Sequence, residues 1–587
     1  MTLARSAAVG LIAVLMCSTS ALAQTGRVDP ARLNEATRVL ASDEFEGRAP
    51  VTPGEDRTIA WLTQQFQALG LEPGGPNGSW VQVAQVSRTS QDGPAAISVS
   101  AKGRTTELQR AKDVIVSSDR PVDRITLSDA PLVFVGYGVD APERGWDDYK
   151  GVDLTGKIML VLVNDPDFGA PEGHPVAGKF DGQAMTFYGR WTYKFQVAAA
   201  HGAAGVLVIH DTPGAGYPWS TLENSSTAPK FDIVRADPDK ERVAAQGWIQ
   251  GAVAEQLFRD AGLDFAALKN QARTPDFRPV ALDGVTMSID FGQKADRVET
   301  RNVIGRLPGT KYPDETVMFG AHWDAYGRAT PKNGDDIYNG AVDNATGVAG
   351  IMEIARLFAE GPRPERSTVF ISWAAEETGL LGAEYYAANP VWPLETTVAN
   401  INMDSLLPGT EIDPNIVVIG AGKNDLDDRL AVLAAREGRR LIPDPAPHAG
   451  AFYRSDHFPW RARAYPPCSP PPASQATTTP AGTTSPTAII SRRTNGRPTG
   501  RWTPPPPMFS CCTKSAATWP IARLARVEAG RRVRRRPQRL GFGAEIAPSR
   551  HPGSGAAAIR DRRTLRQRKV GALAIPALRF ASAGMTV

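Results

Sequence analysis

An α/β fold, with a mixed, mostly parallel sheet flanked by helices, is what residues 319–404 and their borders predict. Three short apolar runs, TVMF, STVFISW and TVANINM, have the length and β-branched content of buried parallel strands. Between the first two, Val348, Ile351, Ile354, Ala355 and Phe358 recur at helical spacing, with Asn344 placed as an N-cap. Strand, helix, strand, helix, strand makes an open sheet, and such sheets bind ligands outside the carboxyl ends of their strands. His322, Glu376, Glu377 and Asp404 stand at those ends.

The residue types there point to metal chemistry. His322, Asp343, Glu377 and Asp404 are imidazole and carboxylate donors, a set that suits zinc and similar divalent ions. In His322-Trp323-Asp324 the aspartate is placed to accept the imidazole's second N–H and fix its tautomer. Asp343 lies between the two arms of the site and can bridge two ions. Of the adjacent Glu376 and Glu377, one can bind metal while the other stays free as a general base toward an attacking water. Any one of these residues alone would be ordinary strand-end polarity; the whole ordered set is not.

The segments FGAHWDAYG, NGAVDNATG, WAAEETGLLG and NINMDS resemble the co-catalytic zinc aminopeptidase and glutamate-carboxypeptidase family over roughly Arg27 to Pro459. That resemblance implies a zinc-peptidase-like fold and two zinc ions. It implies that His322, Asp343 and Asp404 hold one ion and that Asp343 and Glu377 hold the other. Glu376 would be the catalytic base and Asp324 the support of His322. The family's last ligand is a His in a YHxxxDE-like segment. The stretch Phe452 to Pro459 resembles a segment lining the family's active site, but His457 falls earlier than that last ligand and is not assigned as one.

The chain begins with a basic Met-Thr-Leu-Ala-Arg, an apolar AAVGLIAVLM and a small-residue Ala21-Leu22-Ala23, the pattern of a secretory signal over residues 1–23. The expected location is therefore outside the cytoplasm, periplasmic or secreted. The apolar run is too short to span a bilayer, so no membrane span is expected after cleavage. Of four cysteines, only Cys17 precedes residue 460, which leaves the body without a disulfide.

Residues 24–116 read as the first part of the peptidase domain. Ile59, Leu62, Phe66 and Leu69 share one helical face, Gly70 stops that helix, and alternating strand-like residues follow Gly78. Over 117–280 the rhythm changes to PLVFVGYG, KIMLVLV and AGVLVIH with a helical YKFQVAAAHGA, which resembles the β-rich α/β protease-associated domain often inserted in this family. His174, His201 and His210 lie here at no metal-ligand spacing and are given no role. The catalytic domain is placed at 281–460, with the polar loop Arg328 to Tyr338 bordering the substrate pocket.

After residue 460 the composition breaks. Residues 461–587 hold 23 Lys and Arg against 3 Asp and Glu, so the chain's net +4 conceals −16 before this point and +20 after it. Read literally, RRVRRRPQRL and RDRRTLRQRK would suggest nucleic-acid binding. A disordered, out-of-frame tail fits better. Read one base back, the codons allowed opposite Ala488 to Gly496 permit Tyr-His-Gln-Pro-Ala-Asp-Glu-Trp, the family's missing segment in its expected place. The written chain has Ile489 and Ile490 where that last His is due, so its second zinc site is expected to be weakened.

The function expected is an exported di-zinc metallopeptidase, an aminopeptidase acting on peptide or protein substrates, with no nucleic-acid partner. The alternatives are a glutaminyl cyclase-like transferase, which would need one ion and fewer carboxylates, and a non-catalytic peptide-binding protein on the same scaffold.

Overall fold

The computed structural model describes residues 26–332, 334–406, 413–423 and 426–464, all within one unit of the chain. Two helices lead, α1 (Pro30–Leu40) and α2 (Pro53–Ala68). Each starts on proline, whose missing N–H is no loss in a first helical turn. Helix α2 turns Ile59, Leu62 and Phe66 inward, the stripe its spacing predicts.

Strands β1 (Val81–Ala101), β2 (Val114–Ser117), β3 (Arg124–Phe134) and β4 (Ile158–Leu162) come next. Helix α3 (Trp191–Ala200), strands β5 (Gly205–His210) and β6 (Ala245–Gln250), helix α4 (Gly251–Asp260) and the 28-residue strand β7 (Val280–Leu307) follow. The chain then forms β8 (Tyr312–His322), α5 (Thr346–Glu360), β9 (Arg366–Trp373), α6 (Leu381–Ala388) and β10 (Thr397–Asn402). Helices α7 (Leu426–Arg436) and α8 (His457–Ala464) are the last described helices.

The strands form one sheet in the order β10-β8-β9-β7-β3-β4-β5-β6-β2. Its two ends are parallel blocks. In one, β8 lies between β9 and β10, and all three run the same way. Their register sets Phe319 opposite both Phe370 and Ile401, so all three carboxyl ends open on one edge. The β8-α5-β9 unit is the parallel crossover that the strand-helix-strand order requires. In the other block β3, β4, β5 and β6 are parallel, with β2 closing the edge antiparallel.

One strand joins the blocks. The last residues of β7, Val303–Leu307, pair antiparallel with β9, while its first half pairs with β3. Strand β1 runs antiparallel along β7 from Val285 to Val303. Each block has its own core. Leu62, Phe66, Val303, Trp323, Val348, Ile351, Ala355 and Phe370 belong to one. The other draws its members from Ile97 to Phe291, among them Phe134, Leu160, Leu207 and Trp248.

The signal-peptide and tail readings lie outside the described residues. Among the described residues no helix is long and apolar enough to cross a membrane.

Candidate metal centre

His322 ends β8 and is fully buried, with its Nε2 facing a ring of carboxylates. Asp343 Oδ1 stands 3.2 Å from Nε2, Asp404 Oδ1 3.5 Å and Glu376 Oε2 3.8 Å. Each comes from a different place at the sheet's edge: Asp343 just before α5, Glu376 just after β9, Asp404 just after β10. Donors about 2.0–2.2 Å from a tetrahedral ion lie about 3.3–3.6 Å apart, close to the spacing seen. One donor atom each from His322, Glu376 and Asp404 lies within 4.8 Å of the others. His322 Nε2 and Asp343 Oδ1 are buried with no hydrogen bond of acceptable alignment. Buried polar atoms in that state cost stability unless a ligand completes them. Nitrogen and carboxylate oxygen around one point fit a divalent cation such as zinc.

The electrostatics agree. Burial alone would lower the His322 pKa, yet Glu376, Asp343 and Asp404 together raise it well above the ordinary value. Burial drives Glu376 up, against the pull of His322 and with the repulsion of Glu377, Asp456 and Asp404. Carboxylates crowded this closely repel one another, and a divalent cation removes that repulsion.

The two glutamates sit on a tight turn. Ala375 takes a left-handed φ of 56°, and the Gly382 N–H reaches back to the Ala374 carbonyl at 2.9 Å. The Asp324 carboxylate, fully buried, accepts the backbone N–H of Glu376 at 3.0 Å and of Glu377 at 3.2 Å. This differs from the tautomer-fixing role expected for it. His322 Nδ1 lies 3.2 Å from the Asp324 carbonyl oxygen and 3.7 Å from its carboxylate. The backbone carbonyl is therefore the nearer acceptor for Nδ1–H, and the carboxylate braces the glutamates instead. Tyr326 lies close enough to Glu377 for the two to shift each other's acidity, and Glu377 is pushed up to about 8, first by burial.

Residues 302–485 match the model of peptidase family M28. Over that stretch the chain is similar to this family. The mouse aminopeptidase NAALADL1 is 38% identical over 118 residues, which are 19% of this chain and 14% of the mouse protein. The probable glutamate carboxypeptidase AMP1 of Arabidopsis thaliana is 24% identical over 394 residues, 60% of this chain and 48% of that protein. The chain thus spans about a seventh and about half of these two relatives. The solved aminopeptidase from Aneurinibacillus sp. strain AM-1 superposes with a TM-score of 0.44 at 19% identity, over 75% of this chain and 84% of that one.

Within the matched stretch, three residues serve the site besides the predicted metal donors: Asn344, Ser455 and Asp456. Asn344, fully buried, accepts the Gly347 N–H at 3.0 Å and the Ser405 N–H at 3.1 Å, and donates to the Met403 carbonyl at 3.0 Å. Ala345, not Asn344, holds the N-cap position of α5, but the Asn344 side chain still accepts an N–H of its first turn and ties that turn to the segment after β10 that carries Asp404. Ser455 donates to Asp404 Oδ2 at 2.9 Å and accepts from Asn402 at 2.7 Å. Asp456 is fully buried, its carboxylate without a hydrogen-bond partner, and its charge is felt at Glu376. In the segment around His457, Ser455 and Asp456 face the site while the His457 ring packs on Phe452 at 4.9 Å.

Arg48, outside the M28 stretch, is also fully buried. It donates to the carbonyls of Trp323 at 2.8 Å, Gly340 and Asn339 at 2.7 Å, and Leu40 at 2.5 Å. Burial lowers it to about 10, with Asp324, Asp343 and Glu377 opposing that shift. The three histidines given no role are engaged locally: His201 stacks on Tyr149 at 3.8 Å, His210 Nε2 lies 3.0 Å from the Tyr217 carbonyl, and His174 accepts from the Val176 N–H. The hairpin 327–338 lies beside the site, with Tyr326 at its base reaching Glu377.

Proposed function

We propose that this chain is a zinc-dependent metallopeptidase, an exported di-zinc aminopeptidase that releases N-terminal residues from peptides. The observation that carries the proposal is the convergence of His322, Asp343, Glu376 and Asp404 within 3.8 Å of one imidazole nitrogen, with Glu377 beside them. His322, Asp343 and Asp404 would hold one ion, and Asp343 and Glu377 the second. Bound there, divalent ions supply Lewis acidity toward the scissile carbonyl and make an attacking water easier to deprotonate.

The chain's own residues do the rest. Glu376 is the outermost of the three carboxylates around Nε2, as suits a group that must reach a water. Its Oε takes the proton of that water and returns it to the leaving amine. Asp324 holds the Glu376 backbone so that the carboxylate keeps its aim. Ser455 and Ser405 orient the two oxygens of Asp404 at 2.9 and 3.1 Å. The parallel block β3 to β6 is the proposed protease-associated insert, framing the substrate cleft. The second ion lacks the imidazole due near Ile489 and Ile490 and would be the weaker one.

Zinc content and the release of leucine from leucine p-nitroanilide test this together. Hydrolysis should stop with a chelator and return with zinc. Glu376→Gln should keep its zinc and lose about 10²–10⁴-fold in kcat. Chelator-insensitive turnover, or full activity of the glutamine variant, overturns the assignment.

A further inference from the structure

Backbone pairing between β7 and β9 stops at Val303 opposite Ser372. The side chain of the preceding residue, Asn302, takes over. It is fully buried on β7. Its Oδ1 accepts the Ala374 N–H at 2.9 Å, and its Nδ2 donates to the Gly382 carbonyl at 2.9 Å. The Gly382 N–H in turn reaches the Ala374 carbonyl at 2.9 Å. Segment 374–382 is thus a closed loop, its two ends joined to each other directly and again through one side-chain amide. That amide offers an acceptor and a donor side by side, as the peptide group of a neighbouring strand would.

The junction is built closely. A Cβ on Gly382 would lie 2.2 Å from Asn302 Oδ1 and 2.5 Å from the Ala374 carbonyl oxygen, so a larger residue there would push the amide out. The second proton on Asn302 Nδ2 goes to Gln82 Oε1 at 3.1 Å. Gln82, also buried, donates to the Asn389 carbonyl at 2.8 Å, where α6 ends. The loop needs such support. Ala375 and Leu380 hold left-handed φ angles of 56° and 62°, a conformation that persists in non-glycine residues where surrounding contacts enforce it. Asp324 grips the N–H groups of Glu376 and Glu377, but it leaves the two ends of the loop to other groups.

We infer that Asn302 is a positioning residue for the reaction: it clamps the ends of the loop so that Glu376 keeps its reach to the attacking water, without itself touching substrate or metal. The inference rests on the peptidase reading above. It gives the Asn-Val-Ile-Gly stretch of β7 a part in the chemistry from 72 residues ahead of the loop.

Three variants of the full chain with zinc test it. Asn302→Leu has nearly the same volume and removes every hydrogen bond of the amide. Its kcat for leucine p-nitroanilide should fall about 100-fold with KM nearly unchanged. Asn302→Asp keeps an acceptor for the Ala374 N–H and loses the donors, so its kcat should fall in between; it carries the test if the leucine variant does not fold. Leu207→Ala, in the core of the other block, weakens the fold elsewhere and should leave kcat as it was. One zinc ion per chain should remain in all three, because His322, Asp343 and Asp404 lie off the loop. Amide hydrogen exchange reads the loop without turnover. Relative to β9, the N–H groups of Glu376, Glu377, Leu381 and Gly382 should exchange about 10- to 100-fold faster in Asn302→Leu and at the unaltered rate in Leu207→Ala. Unchanged loop exchange in Asn302→Leu, or an equal loss of kcat in Leu207→Ala, overturns the inference. Chelator-insensitive hydrolysis by the unaltered chain would overturn the peptidase reading instead, and exchange would still show whether Asn302 holds the loop.

Discussion

The carboxylate of Asp324 straps down the backbone of Glu376. Its Oδ1 accepts the Glu376 N–H at 3.0 Å while Oδ2 accepts the Glu377 N–H at 3.2 Å, across 52 and 53 residues of sequence. One buried side chain thus fixes the turn that aims both glutamates. Asp324→Ala should leave two buried N–H groups without acceptors and cost about 1–3 kcal/mol for each. It should lower kcat about 10- to 100-fold while most of the zinc stays bound, since neither Nε2 of His322 nor Asp404 depends on it. Denaturant unfolding, metal content and steady-state kinetics check the three parts.

Ser455 is the second lever. Trp373 Nε1 donates to Asn402 at 3.2 Å, Asn402 donates to Ser455 at 2.7 Å, and Ser455 donates to Asp404 at 2.9 Å. That relay crosses Gly320, where a Cβ would lie 2.4 Å from the Trp373 nitrogen. Groups that orient a metal's ligands are typically worth 10- to 100-fold in metal affinity. Ser455→Ala should therefore weaken zinc about tenfold in a competition assay against a chromophoric chelator, with thermal stability of the zinc-free chain little changed.

Acidity should act on the site with a definite sign. Glu377 is raised from 4.5 to about 8, first by burial, and burial raises Glu376 well above its ordinary value too. The folded, metal-free chain then holds protons that the unfolded chain has released between pH 4.5 and 8. A state that binds more protons is weakened as pH rises, so the metal-free fold should lose stability across that window. Zinc must displace the same protons. Its affinity should therefore fall about tenfold per pH unit for each proton displaced as pH drops below about 8. Calorimetry in buffers of different ionisation enthalpy counts the protons released, and thermal melts of the metal-free chain follow the opposite trend.

Much of this site was legible because it depends on local order. Apolar runs such as STVFISW have the length and β-branched content of buried strands, and parallel strands bring their carboxyl ends to one edge, so the acids that follow them gather there. His322, Glu376 and Asp404 follow from that rule alone. Arg48 does not, since its partner carbonyl at Trp323 lies 275 residues away and nothing near Arg48 shows that it will be buried. Ser455 and Asp456 were hidden by the neighbouring His457, the more obvious ligand type. The fusion of both blocks through β7 was hidden too. Alternation shows that a strand forms, but not that its two halves pair with different neighbours.

The tail offers a test at the level of the gene. If the written residues after 460 are out of frame, a chain expressed with the frame moved back by one base regains an imidazole for the second ion. It should then carry two zinc ions where the written chain carries nearer to one, and its kcat/KM should rise. Equal zinc content in the two proteins, measured by mass spectrometry after dialysis, would count against the frame change and leave the first ion's assignment intact.

Arg48 shows how far the site's stability reaches from its chemistry. Its guanidinium joins four carbonyls from three parts of the chain: Leu40 at the end of α1, Trp323 between His322 and Asp324, and Asn339 with Gly340 ahead of Asp343. Three nearby carboxylates, Asp324, Asp343 and Glu377, keep the buried charge tolerable. Arg48→Met removes every one of those donors and leaves the acids without a counter-charge, a change of the kind that costs about 3–5 kcal/mol. Arg48→Lys should recover less than half of that, because one ammonium cannot span carbonyls that the planar fork reaches from several nitrogens. Added zinc should offset part of the loss in the Met variant by restoring positive charge among the carboxylates, so the gap between the two variants in chemical denaturation should narrow as zinc is titrated in. A gap independent of zinc would mean that Arg48 serves the carbonyls alone.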